Sequence, residues 1–157
     1  MPGAVRPWAL PPPPAPPAAA PPAAEAPAAR PPARALADGQ AALGRRDYAA
    51  AEAAAREVIG NRAAASSTVN AQMLLGDALI GKRDFGNAAI AYNEAYTRGR
   101  ATPRGPEALV GLANAFQQLG HRREACDTLN DLRSNHPNIP GPLQERANAV
   151  RGRAQCR

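Results

Sequence analysis

Residues 71–96 read AQMLLGDALIGKRDFGNAAIAYNEAY, and this stretch predicts two helices joined by a tight turn. Ala88, Tyr92 and Ala95 follow the i, i+4, i+7 spacing that places side chains on one face of a helix. Gly76 in the preceding helix has no side chain, so the two backbones can approach closely opposite Ala88. The glycine and basic residues between the helices are typical of a turn. The stretch therefore predicts a helix hairpin held together through small residues.

The same pattern of small residues recurs along the chain with a period of 37 residues. The second helices carry Ala51, Ala88 and Ala125 at this period, and the first helices carry Gly39, Gly76 and Ala113. A small residue in each helix of a repeated hairpin is typical of the tetratricopeptide repeat, which this sequence resembles. The resemblance implies three hairpins, at about residues 33–65, 68–100 and 105–137. Because the usual tetratricopeptide period is about 34 residues, we expect longer linkers, at residues 60–68 and 98–105.

A last helix is predicted over residues 142–155, where Pro142 suits the first turn. The ends of a helical stack need a polar cover, so we expect this helix to cap the third hairpin. Residues 33–157 are therefore expected to form an all-α domain, a right-handed α-solenoid of three helix hairpins and a C-terminal capping helix. An ordinary antiparallel helix bundle is the alternative, and the threefold register of two small positions argues against it.

Residues 1–32 contain 13 of the 18 prolines in the chain. Proline lacks an amide hydrogen and favours extended geometry in the residue before it. A segment rich in proline and alanine has little to bury, so we expect a disordered arm that acts as a polyproline II spacer. Binding of this arm to an SH3- or WW-like groove is the alternative. No signal peptide is recognised in the arm, because proline interrupts every apolar stretch.

The chain carries a net charge of +6, almost all of it on arginine. A basic protein can bind nucleic acid, and this remains an alternative hypothesis. The arginines do not alternate with aromatic residues, as the binding of single strands by base stacking requires. We therefore expect no nucleic-acid partner. No run of 18 apolar residues occurs, so we expect no insertion into a membrane.

The sequence contains none of the common catalytic motifs, such as a phosphate-binding glycine loop or an HExxH zinc site. His121 and His136 fall in predicted turns, without the spacing of a metal site. Asp47 and Asp84 precede second helices and are predicted to cap them. We therefore expect a protein that is not an enzyme and that uses no cofactor, metal ion or small-molecule substrate.

The two cysteines, Cys126 and Cys156, lie in the second helix of the third hairpin and at the end of the capping helix. If the capping helix runs back along that hairpin, a disulfide would fasten it and stabilise the fold by about 3–4 kcal/mol. Such a bond needs an oxidising compartment. Two unrelated thiols are the alternative, because a sequence does not show whether the sulfurs meet.

The surface best suited to function is the groove that the first helices line. Amide side chains there can hydrogen-bond a peptide backbone of any sequence, and apolar side chains can add contact area. Solvation of the inner face is the alternative role for the same residues. The register predicts as groove residues Gln40, Asn70, Met73, Asp77, Val110, Asn114 and Gln117.

The runs 71–96 and 107–137, preceded by the proline-rich arm, resemble the C-terminal domain of the CpoB/YbgF family. The resemblance implies a periplasmic adaptor of the Tol-Pal system. In that role it would bind TolA and coordinate outer-membrane constriction with the peptidoglycan synthesis machinery during cell division. Family members begin with a signal peptide and a trimerising coiled coil. Neither is recognised here, which predicts a truncated form or a misplaced start codon. The alternative is a cytoplasmic tetratricopeptide scaffold for an unrelated protein.

Overall fold

The computed structural model of the chain describes residues 11–15 and 30–157, and the regular secondary structure in these ranges is entirely helical. The helices are α1 (Pro32–Gly44), α2 (Tyr48–Gly60), α3 (Ala65–Gly81), α4 (Phe85–Gly99), α5 (Arg104–Gln118), α6 (Arg122–Asn135) and α7 (Gly141–Ala154). The arm predicted for residues 1–32 lies mostly outside the described residues.

The helices form a stack of hairpins. Helix α1 packs on α2, α3 on α4 and α5 on α6, and α2 and α4 each contact the first helix of the next pair. The first helices also touch one another in the series α1, α3, α5 and α7, whereas the backbones of α2, α4 and α6 do not approach one another. Because the first helices lie closer together, their row is the concave side. This arrangement confirms the α-solenoid that the sequence predicts.

The hairpin turns repeat the same backbone conformation. Arg46, Arg83 and Gly120 stand 37 residues apart, and all have positive φ, of 61°, 61° and 79°. The residue after each is the N-cap of the second helix. The carboxylates of Asp47 and Asp84 accept amide hydrogen bonds in the first turns of α2 and α4, at 3.2 and 3.4 Å. Both aspartates are therefore confirmed as caps.

The linkers between hairpins are shorter than predicted. Helix α3 begins at Ala65 and α5 at Arg104, so the linkers cover only residues 61–64 and 100–103. Part of the additional length of the period lies in α3, which has 17 residues. In the second linker the Thr102 hydroxyl donates to the Gly99 carbonyl oxygen over 2.7 Å and closes the chain into a turn.

Tyr92 occupies the centre of the stack. Its side chain is 3 % exposed, and its ring lies against Gly76 of α3 and Gly111 of α5. A Cβ atom at either glycine would stand 2.6 or 2.5 Å from the ring, closer than real atoms approach. The sequence predicted that Gly76 lets two backbones meet opposite Ala88. Helices α3 and α4 do pack closely, and the structure adds that the nearest neighbour of Gly76 is the Tyr92 ring.

Helix α7 takes the place that the first helix of a fourth hairpin would have, one period after α5. It buries Leu143, Ala147 and Val150 against the third hairpin. A disulfide joins Cys126 of α6 to Cys156 just beyond α7, as predicted. The capping helix is thus held by apolar contact and by a covalent bond.

Candidate functional site on the concave face

The first helices present a narrow polar strip along the concave side. Gln40 on α1 is exposed, and four further groove residues are partly exposed on the same side, namely Asn70 and Asp77 on α3 and Asn114 and Gln117 on α5. The structure therefore keeps these five predicted side chains accessible. Whether they bind a partner stays a prediction.

Met73 and Val110 do not belong to this strip. Their side chains are only 5 % and 1 % exposed, so the apolar contact expected from them is not available to a partner. The cause is the crowding of the first helices. Helix α3 touches α1, α2, α4 and α5, so most of its circumference is covered and only a thin strip faces solvent.

Asn70 and Arg104 connect the second and third hairpins across the concave face. The Arg104 Nε donates to the Asn70 Oδ1 over 2.9 Å. A second nitrogen of the same guanidinium forms an ion pair with Glu107, one turn further along α5. These two contacts hold the guanidinium at the strip, with about a third of the Arg104 side chain still exposed.

Asp77 lies deeper and is engaged with the core. The Tyr92 hydroxyl donates to its Oδ1 over 2.5 Å. Burial raises the pKa of the Asp77 carboxyl above its ordinary value, and the Tyr92 hydrogen bond and the charges of Arg146 and Arg104 oppose this only in part. Burial and the nearby carboxylate also raise the pKa of the Tyr92 hydroxyl, so it remains a donor. Asp77 is thus primarily a support for Tyr92.

Asn114 and Gln117 meet an arginine from the capping helix. Arg153 of α7 donates to the Gln117 Oε1 and to the Asn114 Oδ1, each over 3.3 Å. Arg146, two turns earlier on α7, lies near enough to Asp77 to influence its pKa. Neither arginine was predicted from the sequence as a site residue. The signal was present, because α7 follows α5 at the same period as the other first helices.

Between the starts of α5 and α7 lies an open depression of about 370 Å³. Its walls are mainly proline, from Pro103 and Pro106 on one side and Pro140 and Pro142 on the other. The proline rings are hydrocarbon, and proline has no backbone amide hydrogen. The proline walls therefore expose apolar surface and no unpaired backbone N–H group. Leu143 and the polar residues Glu107, Asn138 and Arg146 complete the lining.

A second depression, of about 360 Å³, opens on the other side of the stack between α2 and α4. Leu75 and Leu79 of α3 line it, together with Ile59 and Ile90. Ile90 is 63 % exposed, the most exposed large apolar side chain in the described residues. This cleft exists because the second helices stand apart.

The described residues offer no metal centre, since no three His, Cys, Asp or Glu side chains gather in them. His136 lies 3.3 Å from the Tyr96 hydroxyl through its Nε2, and its ring meets the Tyr96 ring edge to face. His121 precedes α6 and makes no side-chain cap. In the same part of the chain no helix has the length and apolarity needed to cross a membrane.

Comparison with protein families identifies a tetratricopeptide repeat in residues 107–138, which cover most of α5 and all of α6. No curated protein matches the chain significantly. The match shows one tetratricopeptide repeat, and the α-solenoid is an architecture that such repeats build when they stack. Proteins with these repeats typically serve as non-catalytic scaffolds for protein–protein interaction. The matched segment contains Asn114 and Gln117 and thus the C-terminal end of the polar strip.

Proposed function

We propose that this chain is a protein-binding adaptor that receives its partner on the concave row of first helices. The observation that carries the proposal is the row itself, where side chains from α1, α3 and α5 face solvent together. An extended peptide laid along the row would find amide groups at successive hairpins. Amides both donate and accept hydrogen bonds, so they can pair with a peptide backbone.

We further propose that the adaptor acts in the periplasm, within the Tol-Pal and cell division machinery. The support is the resemblance of residues 71–137 to the CpoB/YbgF family and the disulfide between Cys126 and Cys156. Structural disulfides persist in oxidising compartments and are rare in the cytosol. The partners in this role would be TolA and the peptidoglycan synthesis machinery.

Calorimetric titration of the oxidised chain with TolA from the same cell tests the partner. Saturable binding is expected, and replacing both Asn114 and Gln117 by alanine should weaken it. A matched control replaces Asn93 and Asn130, two exposed amides on α4 and α6, and should leave binding unchanged. Absence of binding by the unchanged chain would end the Tol-Pal assignment. Equal weakening by both double variants would end the assignment of the groove.

Trapping of thiols in intact cells tests the compartment. The cells are quenched with acid, and free thiols are labelled before and after reduction. We expect Cys126 and Cys156 to be labelled only after reduction. Labelling of both without reduction would favour the cytoplasmic scaffold.

A further inference from the structure

Three arginines converge on the C-terminal half of the concave face. Arg104 stands at the start of α5 and bonds to α3 through Asn70. Arg153 reaches from α7 to the amides of α5. Arg146 also comes from α7 and lines the proline-walled depression beside the start of α5. Two helices that touch each other thus aim three guanidinium groups at one region.

The positive charge of this region is neutralised by the protein only in part. Glu107 is paired with Arg104, and the Asp77 carboxylate, which accepts a hydrogen bond from Tyr92, forms no ion pair among the described residues. Arg153 is held by neutral amide oxygens, and among the described residues neither Arg146 nor Arg153 forms an ion pair. Two guanidinium groups are therefore left to pair with an external anion, for which they offer several donors in a planar fork.

The surroundings favour a peptide over a nucleic acid. The amides of Asn114 and Gln117 lie beside the arginines and suit a peptide backbone. The depression between Pro106 and Leu143 is open and lined mainly by apolar side chains, so it can take an aliphatic side chain. Binding of single strands uses exposed aromatic rings for base stacking, and the ring that bonds to the polar strip here, that of Tyr92, is buried.

We propose that Arg146 and Arg153, beside Arg104, bind an acidic segment of a partner protein, with one aliphatic side chain of that segment in the proline-walled depression. The proposal deepens the adaptor function, on which it rests, by naming the chemistry of the partner. Carboxylates of an extended segment pair with the guanidinium groups, and its backbone bonds to the amides. The capping helix is then part of the binding surface as well as the end of the stack.

Fluorescence anisotropy with synthetic peptides tests this directly. The probe is a short labelled peptide of aspartate and glutamate around one leucine, blocked at both ends, titrated with the oxidised full chain. The comparison peptide carries asparagine and glutamine instead. We expect the acidic peptide to bind at least about tenfold more tightly, and its binding to weaken as salt is added. Equal binding of the two peptides would overturn the proposal.

Two double variants of equal charge locate the site. Arg146→Ala with Arg153→Ala should weaken binding of the acidic peptide at least about tenfold. Arg45→Ala with Arg123→Ala removes two exposed arginines that lie outside the site and should change binding by less than about twofold. Equal weakening by both would show attraction by net charge alone and would refute the site. Circular dichroism of each variant confirms that the fold is kept.

Charge reversal and an oligonucleotide complete the test. Arg146→Glu with Arg153→Glu should bind a peptide of lysine around one leucine in preference to the acidic peptide. A single-stranded oligonucleotide should not bind the parent chain more tightly than the acidic peptide does. If it does so, and if the Arg146→Glu with Arg153→Glu variant no longer binds it, the site is for nucleic acid and the proposal fails.

TolA binding separates this proposal from the adaptor function. If the alanine double variant and the parent bind TolA with equal affinity, this proposal fails while the adaptor function stands. If the acidic peptide binds and TolA does not, this proposal stands and the Tol-Pal assignment fails.

Discussion

At the scale of single residues, one tyrosine connects two hairpins. The side chain of Tyr92 projects from α4, and its ring lies between Gly76 of α3 and Gly111 of α5. Its hydroxyl donates a hydrogen bond to Asp77. The first glycine was recognised from the sequence by its register. Gly111 was not, because it lies outside the pair of small positions that repeat, and only the stacking of the next hairpin brings it to the ring.

The close contact at Gly111 predicts a cost for any side chain there. Gly111→Ala places a Cβ 2.5 Å from the Tyr92 ring, so we expect a loss of about 1–2 kcal/mol in the free energy of unfolding even though alanine favours helix. Gly152→Ala is the control, since nothing lies within 4 Å of its added Cβ, and it should stabilise by up to about 1 kcal/mol. Urea unfolding of the three proteins measures both. Equal stability of Gly111→Ala and the parent would contradict this account of Tyr92.

Asp77 predicts a pH dependence whose sign follows from its environment. Its folded pKa lies above the ordinary value of 3.8, so the folded state holds the proton more tightly than the unfolded chain. The resulting contribution to stability is present below the ordinary pKa and is lost as the pH rises through the folded pKa. Asp77→Asn keeps an acceptor for Tyr92 without a charge. We expect the urea midpoint of Asp77→Asn to rise relative to the midpoint of the parent as the pH increases from below 3.8 to neutrality.

The control for this measurement is Asp131→Asn, which changes an exposed carboxylate on α6. The unfolding midpoint of Asp131→Asn should differ less from that of the parent over the same pH range than the midpoint of Asp77→Asn does. If the two variants give the same pH profile, burial of Asp77 has no energetic consequence and its role as a support for Tyr92 must be abandoned.

At the scale of elements, the hairpin turns show what the sequence predicts well. The caps at Asp47 and Asp84 depend on a few neighbouring residues and were predicted correctly. The linkers were predicted too long, because the additional residues of the period were assigned to coil although part of them extends α3. Local chemistry is thus readable from the sequence, whereas the length of a helix that gains tertiary contacts on four sides is not.

The turn between α3 and α4 contains a residue whose replacement should stabilise the protein. Arg83 has a φ of 61°, a conformation that side chains disfavour by about 1 kcal/mol and that glycine adopts freely. Arg83→Gly is therefore expected to raise the free energy of unfolding by about 0.5–1 kcal/mol, net of the greater freedom of glycine in the unfolded chain. Arg123→Gly, inside α6, should instead destabilise by about 1 kcal/mol. Thermal unfolding of both variants and the parent measures these changes. A midpoint of Arg83→Gly below that of the parent would show that the positive φ of Arg83 does not destabilise the fold.

The capping helix should depend strongly on its disulfide. The bond closes a loop with a sequence separation of 30 residues, which corresponds to about 3–4 kcal/mol of stabilisation. Reduction, or Cys126→Ser with Cys156→Ser, should lower the free energy of unfolding by about this amount and speed amide exchange in α7 more than in α3. Reductant should not change the double serine variant further. Unchanged exchange in α7 after reduction would show that apolar contact alone holds the cap.

At the scale of the whole molecule, the architecture was predictable and the binding surface only partly so. Two small positions in threefold register were enough to indicate a solenoid, because only stacked hairpins explain such a repeat. The groove assignment failed at Met73 and Val110, since register alone does not tell which side of a first helix is covered by its neighbours. It also missed Arg146 and Arg153, because their place on the concave face depends on how α7 docks.

The position of α7 on its own hairpin has a consequence for association between copies. A terminal element that fits a repeated site can be exchanged with the same element of another molecule, which produces domain-swapped dimers. In this chain the sulfur–sulfur bond ties α7 to α6 of the same molecule. Once the disulfide has formed, a molecule therefore cannot exchange α7 with a neighbouring molecule. Arg146 and Arg153 of α7 then stay on the concave face of their own chain.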